Sequence, residues 1–211
     1  MEDPFRAAAD DPGLRLIETA LWDGAACPRL EGHLARLTAS AAALGWPCDA
    51  GAARAALTGE PGTPARLRLT LDRAGALEVT RAPLPPSPPE WRLGLASARL
   101  ASADPWLRIK TTRRAVYDAA RAAMPGGLDE LLFLNERGEV CDGTITTLFF
   151  DRGEGLRTPP LSCGLLAGVL RAELLSGGLC REERLRAEEL PHMRLWVGNA
   201  LRGLMPARWQ G

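Results

Sequence analysis

The sequence predicts an α+β fold made of two lobes. Residues 83–89 contain five prolines in seven positions, which is typical of a stiff, extended linker. On both sides of this segment, period-two alternation of apolar residues indicates strands, and apolar residues at helical spacing indicate helices that cover them. We therefore predict a small α+β lobe over residues 1–82, a proline-rich linker over residues 83–90 and a larger α+β lobe over residues 91–211.

The small lobe is predicted to be a helix-covered sheet. Its main helix is indicated by the spacing of Leu34, Leu37, Ala41 and Leu44, with Gly45 as a stop signal. The predicted elements, in order, are strands over residues 14–22 and 25–30 joined by an Asp23-Gly24 turn, the main helix, a short helix over about 49–58, and strands over 66–71 and 77–81 joined by a turn at 72–75.

The larger lobe repeats the mixture of strands and helices. Its first helix is expected to place Val116, Ala119, Ala120 and Ala123 on one side. The predicted elements are strands over 91–100, 131–134, 140–150, 179–185 and 194–198, and helices over 113–124 and about 165–175, with residues 135–138 as the turn of a hairpin. Two such lobes would leave a cleft between them, a common location for a cofactor.

Composition argues against several classes of protein. The formal net charge is +0 and no basic block is long, so nucleic acid is not an expected partner. No apolar run approaches the ~18 residues of a membrane span, and the first residues lack the apolar core of a signal peptide, so we expect a cytoplasmic protein. The five cysteines include no CxxC pair, and with only two histidines a metal centre is not expected.

Lys110 is the one lysine of the chain. Lysine and arginine together number 26, so the other 25 of these residues are arginines. The two exchange readily on a solvated surface, but only a primary amine can condense with an aldehyde. Lys110 is therefore a candidate for covalent chemistry, and a surface lysine left by chance is the alternative. Its surroundings decide between the two.

Several motifs occur together in one order along the chain, and they cover about residues 14–206. They are Leu16-Ile-Glu-Thr-Ala20, His33-Leu-Ala-Arg-Leu37, Lys110-Thr-Thr-Arg-Arg114 continuing to Asp118, Asn135-Glu-Arg-Gly-Glu-Val140 followed by Asp142-Gly-Thr-Ile-Thr146, Thr158-Pro-Pro-Leu161 with Gly164-Leu-Leu-Ala-Gly-Val-Leu-Arg171, and Asn199-Ala-Leu-Arg202. In this set the sequence resembles the class IV aminotransferases, which are pyridoxal 5'-phosphate (PLP) enzymes of fold type IV, like D-amino-acid aminotransferase. Within that family it is most similar to the members that act on 4-amino-4-deoxychorismate.

The resemblance implies a role for each matching residue. Lys110 corresponds to the lysine that binds the cofactor aldehyde and then moves substrate protons. Asp142 falls where the family usually has a glutamate paired with the pyridine nitrogen, and a carboxylate there favours the protonated ring. The aspartate is one methylene shorter than that glutamate. The alternative for Asp142 is a turn residue before Gly143.

The remaining matches concern the phosphate and the substrate. Arg36 corresponds to a phosphate-binding arginine, and a guanidinium fork suits a phosphate. The backbone N–H groups of Val169 and Leu170, after Gly168, correspond to a second phosphate contact at a helix start. Asn199 corresponds to a polar side chain that closes the phosphate site. Arg114 lies four residues after Lys110, one helical turn on, and is a candidate partner for a substrate carboxylate.

Several of these residues could instead have a structural role. Arg36 and Arg114 could be surface arginines, Gly168 a packing glycine, and His33 a packed or capping residue. Cys141 neighbours Asp142 on a strand and should point the other way, into the core.

The resemblance implies a cytoplasmic PLP enzyme that acts on a small molecule and forms a homodimer, with a possible association with aminodeoxychorismate synthase. The expected reaction converts 4-amino-4-deoxychorismate to 4-aminobenzoate and pyruvate. One alternative is a branched-chain or D-amino-acid aminotransferase. The other is a divergent PLP-binding protein with little activity, suggested by Asp142 and by the short stretch before Leu16.

Overall fold

The chain divides into two units in the computed structural model, which describes Phe5 and residues 11–211. The first unit contains the described residues up to Pro86 together with Ile109–Arg113. The second contains Ser87–Arg108 and Arg114–Gly211. The segment around Lys110 thus belongs to the first unit, although in sequence it comes after the first strand of the second unit. The lobe limits at residues 82 and 91 stay a prediction from the sequence.

The first unit is a three-stranded antiparallel sheet with two helices. Alternating residues of its middle strand, Leu67, Leu69 and Leu71, are fully buried, as the period-two pattern requires. Its sheet order is β1-β2-β3. Its elements are β1 (Leu16–Trp22), α1 (Leu30–Leu44), α2 (Ala50–Ala56), β2 (Ala65–Leu71) and β3 (Leu77–Ala82).

Helix α1 begins and ends at residues whose chemistry explains it. Leu34, Leu37 and Ala41 form its buried side, and α1 lies against β1. Gly45 ends the helix with a φ of 67°, a left-handed conformation that costs glycine little. The predicted helix and its stop signal are confirmed.

The predicted strand over residues 25–30 is wrong. The Asp23 carboxylate accepts hydrogen bonds from the backbone N–H groups of Ala25 and Ala26, each at 2.8 Å. These bonds fold the chain into a turn, and Pro28 has no N–H for a strand ladder. The chain then enters α1 at Leu30, so β1 pairs with β2 rather than with a neighbouring return strand.

The second unit is built on an eight-stranded sheet of order β6-β5-β4-β11-β10-β7-β8-β9. A three-residue turn joins β6 to β7, although four strands separate them in this order, so the sheet curls. Its elements are β4 (Trp91–Leu100), α3 (Ala115–Ala122), β5 (Glu130–Asn135), β6 (Val140–Gly143), β7 (Thr147–Asp151), β8 (Leu156–Thr158), α4 (Val169–Ser176), β9 (Arg181–Glu182), β10 (Arg194–Asn199) and β11 (Gly203–Trp209), with 3-10 turns at Pro105–Arg108, Leu161–Cys163 and Ala187–His192.

Several predicted bounds in the second unit need correction. The strand predicted over residues 140–150 is two strands, β6 and β7, which lie in different parts of the sheet. The helix predicted from about residue 165 begins at Val169. Of the strand predicted over residues 179–185, only Arg181–Glu182 forms a strand, and β11 was not predicted.

Helix α3 is shorter than predicted, and its packed side differs. Val116, Tyr117 and Ala120 lie against a core group of Leu100, Phe133 and Cys141, whereas Ala119 and Ala123 are exposed. Tyr117 replaces the expected alanines because its ring packs edge-on against Phe133, with centroids 5.0 Å apart. The prediction that Cys141 is a core residue is confirmed.

Among the described residues, no helix combines the length and apolarity that crossing a membrane requires.

Candidate functional site

Lys110 is held against the edge of the first unit's sheet. Its carbonyl oxygen accepts a hydrogen bond from the N–H of Ile17 at 2.8 Å, and the N–H of Thr112 donates to Arg15 at 2.9 Å. Between them, Leu16 and Thr111 form an antiparallel bridge. The backbone around Lys110 is therefore fixed by β1, while its side chain is half-buried. A fixed backbone under a long amine stem suits a lysine that makes a covalent bond.

The side chain of Arg36, in α1, is oriented by the buried carboxylate of Glu18, in β1. Glu18 is only 1% exposed, and it accepts Arg36 Nε at 2.8 Å and Arg36 Nη2 at 2.6 Å. Nδ1 of His33 lies 2.6 Å from the same carboxylate. Burial raises the pKa of Glu18, but the Arg36 guanidinium, aided by His33, outweighs burial and holds that pKa below its ordinary value. The charged carboxylate thus fixes the plane of the Arg36 guanidinium.

Strand β1 contacts both Lys110 and Arg36. Ile17 binds the backbone of Lys110, and the next residue, Glu18, binds the side chain of Arg36. The sequence motifs indicated Arg36 as a phosphate ligand but gave no sign that Glu18 is its partner. A glutamate inside an otherwise apolar strand was the available signal, because a buried carboxylate needs a cation or several donors.

Asp142 lies in β6, one residue before its end, and is buried in the second unit. It is 6% exposed, and its Oδ2 accepts a hydrogen bond from Leu166 N–H at 3.3 Å. Its Oδ1 is buried and has no hydrogen-bond partner among the residues that the structure describes. Burial is the main cause that raises the pKa of Asp142 to about 7, and hydrogen bonds from Leu166 and Thr147 oppose it only in part. A buried acceptor with an unmet hydrogen bond is what a protonated pyridine nitrogen would satisfy, so Asp142 fits PLP.

The N-terminus of α4 lies near Asp142. Gly168 precedes the helix with extended backbone, and no side chain caps it. A Cβ on Gly168 would lie 3.2 Å from Oγ1 of Thr147, so glycine permits this close approach to β7. Helix N–H groups at such a start can bind an anion. The helix therefore begins where the sequence placed a phosphate contact of Val169 and Leu170.

Arg114 and Asn199 both contact the turn that joins β6 to β7. Arg114 Nη2 donates to the Thr144 carbonyl at 2.9 Å, and Asn199 Nδ2 donates to the Ile145 carbonyl at 3.3 Å. Asn199 Oδ1 also accepts two backbone N–H groups, of Leu201 at 3.1 Å and Arg202 at 3.0 Å. These bonds hold both side chains beside the strand that carries Asp142.

Arg114 and Lys110 do not share a helix, so the predicted separation of one helical turn is wrong. Lys110 lies in extended backbone, and α3 begins only at Ala115. The pairing with β1 holds Lys110 in the first unit, whereas Arg114 belongs to the second. The position of Arg114 is set instead by Thr144 and by the Tyr117 ring, whose centroid lies 5.4 Å from its guanidinium carbon.

The mixed fold with its curled sheet is that of the fold type IV PLP-dependent enzymes. Comparison with known proteins agrees, because the family model described as amino-transferase class IV matches residues 15–208. The chain belongs to the class IV aminotransferase family, whose members are PLP-dependent enzymes that include aminotransferases and aminodeoxychorismate lyases.

Individual relatives fall on both sides of that family. A proposed aminodeoxychorismate lyase of Schizosaccharomyces pombe is 32% identical over 178 residues, which cover 80% of this chain and 76% of that protein. The structure of a proposed amino-acid aminotransferase from Mesorhizobium loti is 45% identical, with a TM-score of 0.87 over 93% of this chain and 100% of that chain. The 4-amino-4-deoxychorismate lyase of Pseudomonas aeruginosa is 26% identical, with a TM-score of 0.78 over 97% of this chain and 84% of that chain.

We predict that Asp142→Asn stabilises the cofactor-free protein in a pH-dependent way. The pKa of Asp142 lies near 7, above its ordinary value of 3.8. Below about pH 4 the carboxyl is protonated and no charge is buried, and the cost of burying the charge grows as the pH rises to 7 and is then constant. Asparagine removes that cost, so the gain should approach roughly 4 kcal/mol above pH 7. Urea unfolding between pH 4 and 8 measures it.

The same substitution at Asp129 is the control of opposite sign. Hydrogen bonds from Arg92 lower the pKa of Asp129, so Asp129→Asn should destabilise the protein above pH 4. An Asp142→Asn difference that stays flat from pH 4 to 8 would show that Asp142 is ionised at little cost, and would remove the argument for an unmet hydrogen bond.

Proposed function

We propose that the chain is an aminodeoxychorismate lyase, which converts 4-amino-4-deoxychorismate to 4-aminobenzoate and pyruvate. One observation carries the choice within the family. Arg114 is bonded to the turn that starts immediately after Asp142-Gly143, so a cation is fixed at the turn that follows the carboxylate proposed for the cofactor ring. A substrate with two carboxylates has use for such a cation. The relatives from S. pombe and P. aeruginosa support the same choice.

The residues described above would hold PLP in the following way. The amine of Lys110 would bind its aldehyde, and Oδ1 of Asp142 would accept from its pyridine nitrogen. Arg36 and the N–H groups of Val169 and Leu170 would bind its phosphate, and Asn199 would support that site. Bound PLP supplies an acceptor for the electron pair left when a carbon beside the amine loses its proton.

The protein's own part in the reaction is to bind the substrate and move protons. Arg114 would bind a substrate carboxylate and so orient C4 toward Lys110. The amine of Lys110 would take the proton from C4, after which the enolpyruvyl group leaves C3 as the ring becomes aromatic. A proton returned by Lys110 to that group would give pyruvate. All atoms of the substrate appear in the two products, so no second substrate is required.

The second candidate is a class IV aminotransferase. The observation that favours it is the 45% identity to the M. loti structure, described as a proposed amino-acid aminotransferase. It would use the same cofactor residues and would need a 2-oxo acid to complete each cycle. A homodimer, a cytoplasmic location and an association with aminodeoxychorismate synthase also belong to the proposal, on family likeness alone.

We predict that 4-amino-4-deoxychorismate yields 4-aminobenzoate and pyruvate in equal amounts without any 2-oxo acid. Chromatography and a coupled pyruvate assay on the PLP-loaded protein measure both products, with Lys110→Arg as the inactive control. Leucine or D-alanine should transfer little amino group to the cofactor. Rapid transfer from either amino acid, together with no 4-aminobenzoate, would replace the lyase by the aminotransferase.

We also predict that Arg36→Ala weakens the affinity for PLP tenfold or more, because a charge-assisted hydrogen bond contributes about 1.5–3 kcal/mol. Equilibrium dialysis measures the loss, and Arg54→Ala is the control, since Arg54 is a half-exposed arginine of the same unit paired with Glu31. Pyridoxal, which lacks the phosphate, should bind Arg36→Ala and wild type alike. An equal loss for both ligands would mean that Arg36 acts through the fold rather than on phosphate.

A further inference from the structure

The turn that joins β6 to β7 folds around one buried carboxylate. Glu130, the first residue of β5, is fully buried. Its Oε1 accepts the N–H of Thr144 at 3.0 Å and also the Thr144 hydroxyl. Its Oε2 accepts the N–H of Ile145 at 3.2 Å and the hydroxyl of Thr146 at 2.8 Å. Each residue of the turn therefore donates to the same side chain.

Two further donors complete the surroundings of Glu130. The N–H of Leu131 donates to Oε1 at 3.1 Å, and Arg121 Nη1 lies 3.6 Å from Oε1. Burying a carboxylate is expensive unless donors or cations surround it, and here both are present. The carboxylate in turn replaces the strand partners that the backbone of the turn lacks.

Gly143 is required by this arrangement. A Cβ at Gly143 would lie 2.9 Å from Oε2 of Glu130 and 2.6 Å from Oγ1 of Thr146, well inside contact distance. The glycine after Asp142 is thus explained by the approach of Glu130 beneath the chain. The Asp-Gly-Thr-Ile-Thr motif and Glu130 form one packed feature, which we call the Glu130 turn (Glu130 with Gly143–Thr146).

The Glu130 turn is connected to three proposed site residues of the second unit. Asp142 directly precedes the turn. The carbonyl oxygens of Thr144 and Ile145, within the turn, accept hydrogen bonds from the side chains of Arg114 and Asn199. Thr147 follows the turn, and its side chain is one of the groups that lower the pKa of the Asp142 carboxyl. A shift of this turn would therefore move both Asp142, the proposed acceptor for the pyridine nitrogen, and Arg114, the proposed partner of a substrate carboxylate.

From these contacts we propose that Glu130 is a positioning residue, which fixes Asp142 and Arg114 for the cofactor and substrate without touching either. The inference rests on the proposed use of PLP by Asp142. It does not depend on whether the chain is a lyase or an aminotransferase, because both need the same ring contact.

The test is Glu130→Gln in the full-length protein, measured by PLP affinity and by the visible circular dichroism of the bound cofactor. Glutamine keeps the shape but places an NH₂ group where an acceptor stood. The Thr146 hydroxyl can rotate to accept from it, but the N–H of Ile145 cannot, so the turn must shift there. We expect a tenfold or greater loss of PLP affinity and an altered dichroic band, because the band reports the orientation of the ring.

Asp129→Asn is the matched control. It removes a carboxylate from the adjacent residue and breaks an ion pair with Arg92, but it contacts none of the proposed site residues. This variant should lower the melting temperature while PLP affinity and the dichroic band stay at wild-type values. If Glu130→Gln fails to fold, Thr146→Val removes one donor and keeps the charge, and a smaller loss of affinity, about twofold to fivefold, is expected from the loss of one hydrogen bond.

Three results would overturn the proposal in distinguishable ways. Normal affinity and an unchanged band in a destabilised Glu130→Gln protein would make Glu130 a structural residue only. The same losses in Asp129→Asn would show that any destabilisation of the unit weakens PLP binding. A wild-type chain that binds no PLP would end this inference and the proposed function together.

Discussion

The pairing of the Lys110 segment with β1 is the constraint on which the account of the first unit depends. Ile17 and Lys110 are far apart in sequence, yet one backbone hydrogen bond of 2.8 Å joins them. The same strand carries Glu18, which fixes the guanidinium of Arg36. One strand therefore positions both Lys110, whose amine is proposed to bind an aldehyde, and Arg36, whose guanidinium is proposed to bind a phosphate. Moving β1 would displace both.

Three buried carboxylates, those of Glu18, Glu130 and Asp142, differ in how far their hydrogen bonds are satisfied. Glu18 and Glu130 are surrounded by donors or cations, so their burial is offset. Asp142 has one oxygen bonded to Leu166 and the other without a partner, and burial raises its pKa to about 7. An unmet bond of this kind lowers the stability of the cofactor-free protein. A protonated ring nitrogen would convert that cost into binding energy.

Much of the fold was predictable because apolar periodicity reports which side of a helix or strand is buried. The limits of β4 and the stop of α1 at Gly45 follow directly from it. Strand β11 was missed because Pro206 lies within it, and a proline argues against a strand in the middle of a sheet. The strand predicted over residues 25–30 was wrong because turn formation at Asp23 outweighed the apolar composition.

The sequence motifs indicate candidate site residues, but they do not indicate the contacts that position those residues. The motifs indicated Lys110, Arg36 and Asp142, whereas the partners that orient them come from distant parts of the chain. Glu130 looks like an ordinary polar residue at the start of a strand until the turn over residues 144–146 is seen to close around it. Spacing also misled, because Arg114 follows Lys110 by four residues without sharing its helix.

The central claim is that Lys110 binds the cofactor aldehyde. Reduction of the PLP-loaded protein with borohydride, followed by mass mapping of its peptides, tests this directly, because the chain offers only one lysine side chain. We predict a pyridoxyl group on the peptide that contains Lys110 and none in Lys110→Arg, which keeps the charge but has no amine able to condense. A loaded wild-type protein with an unmodified Lys110 peptide after reduction would contradict it.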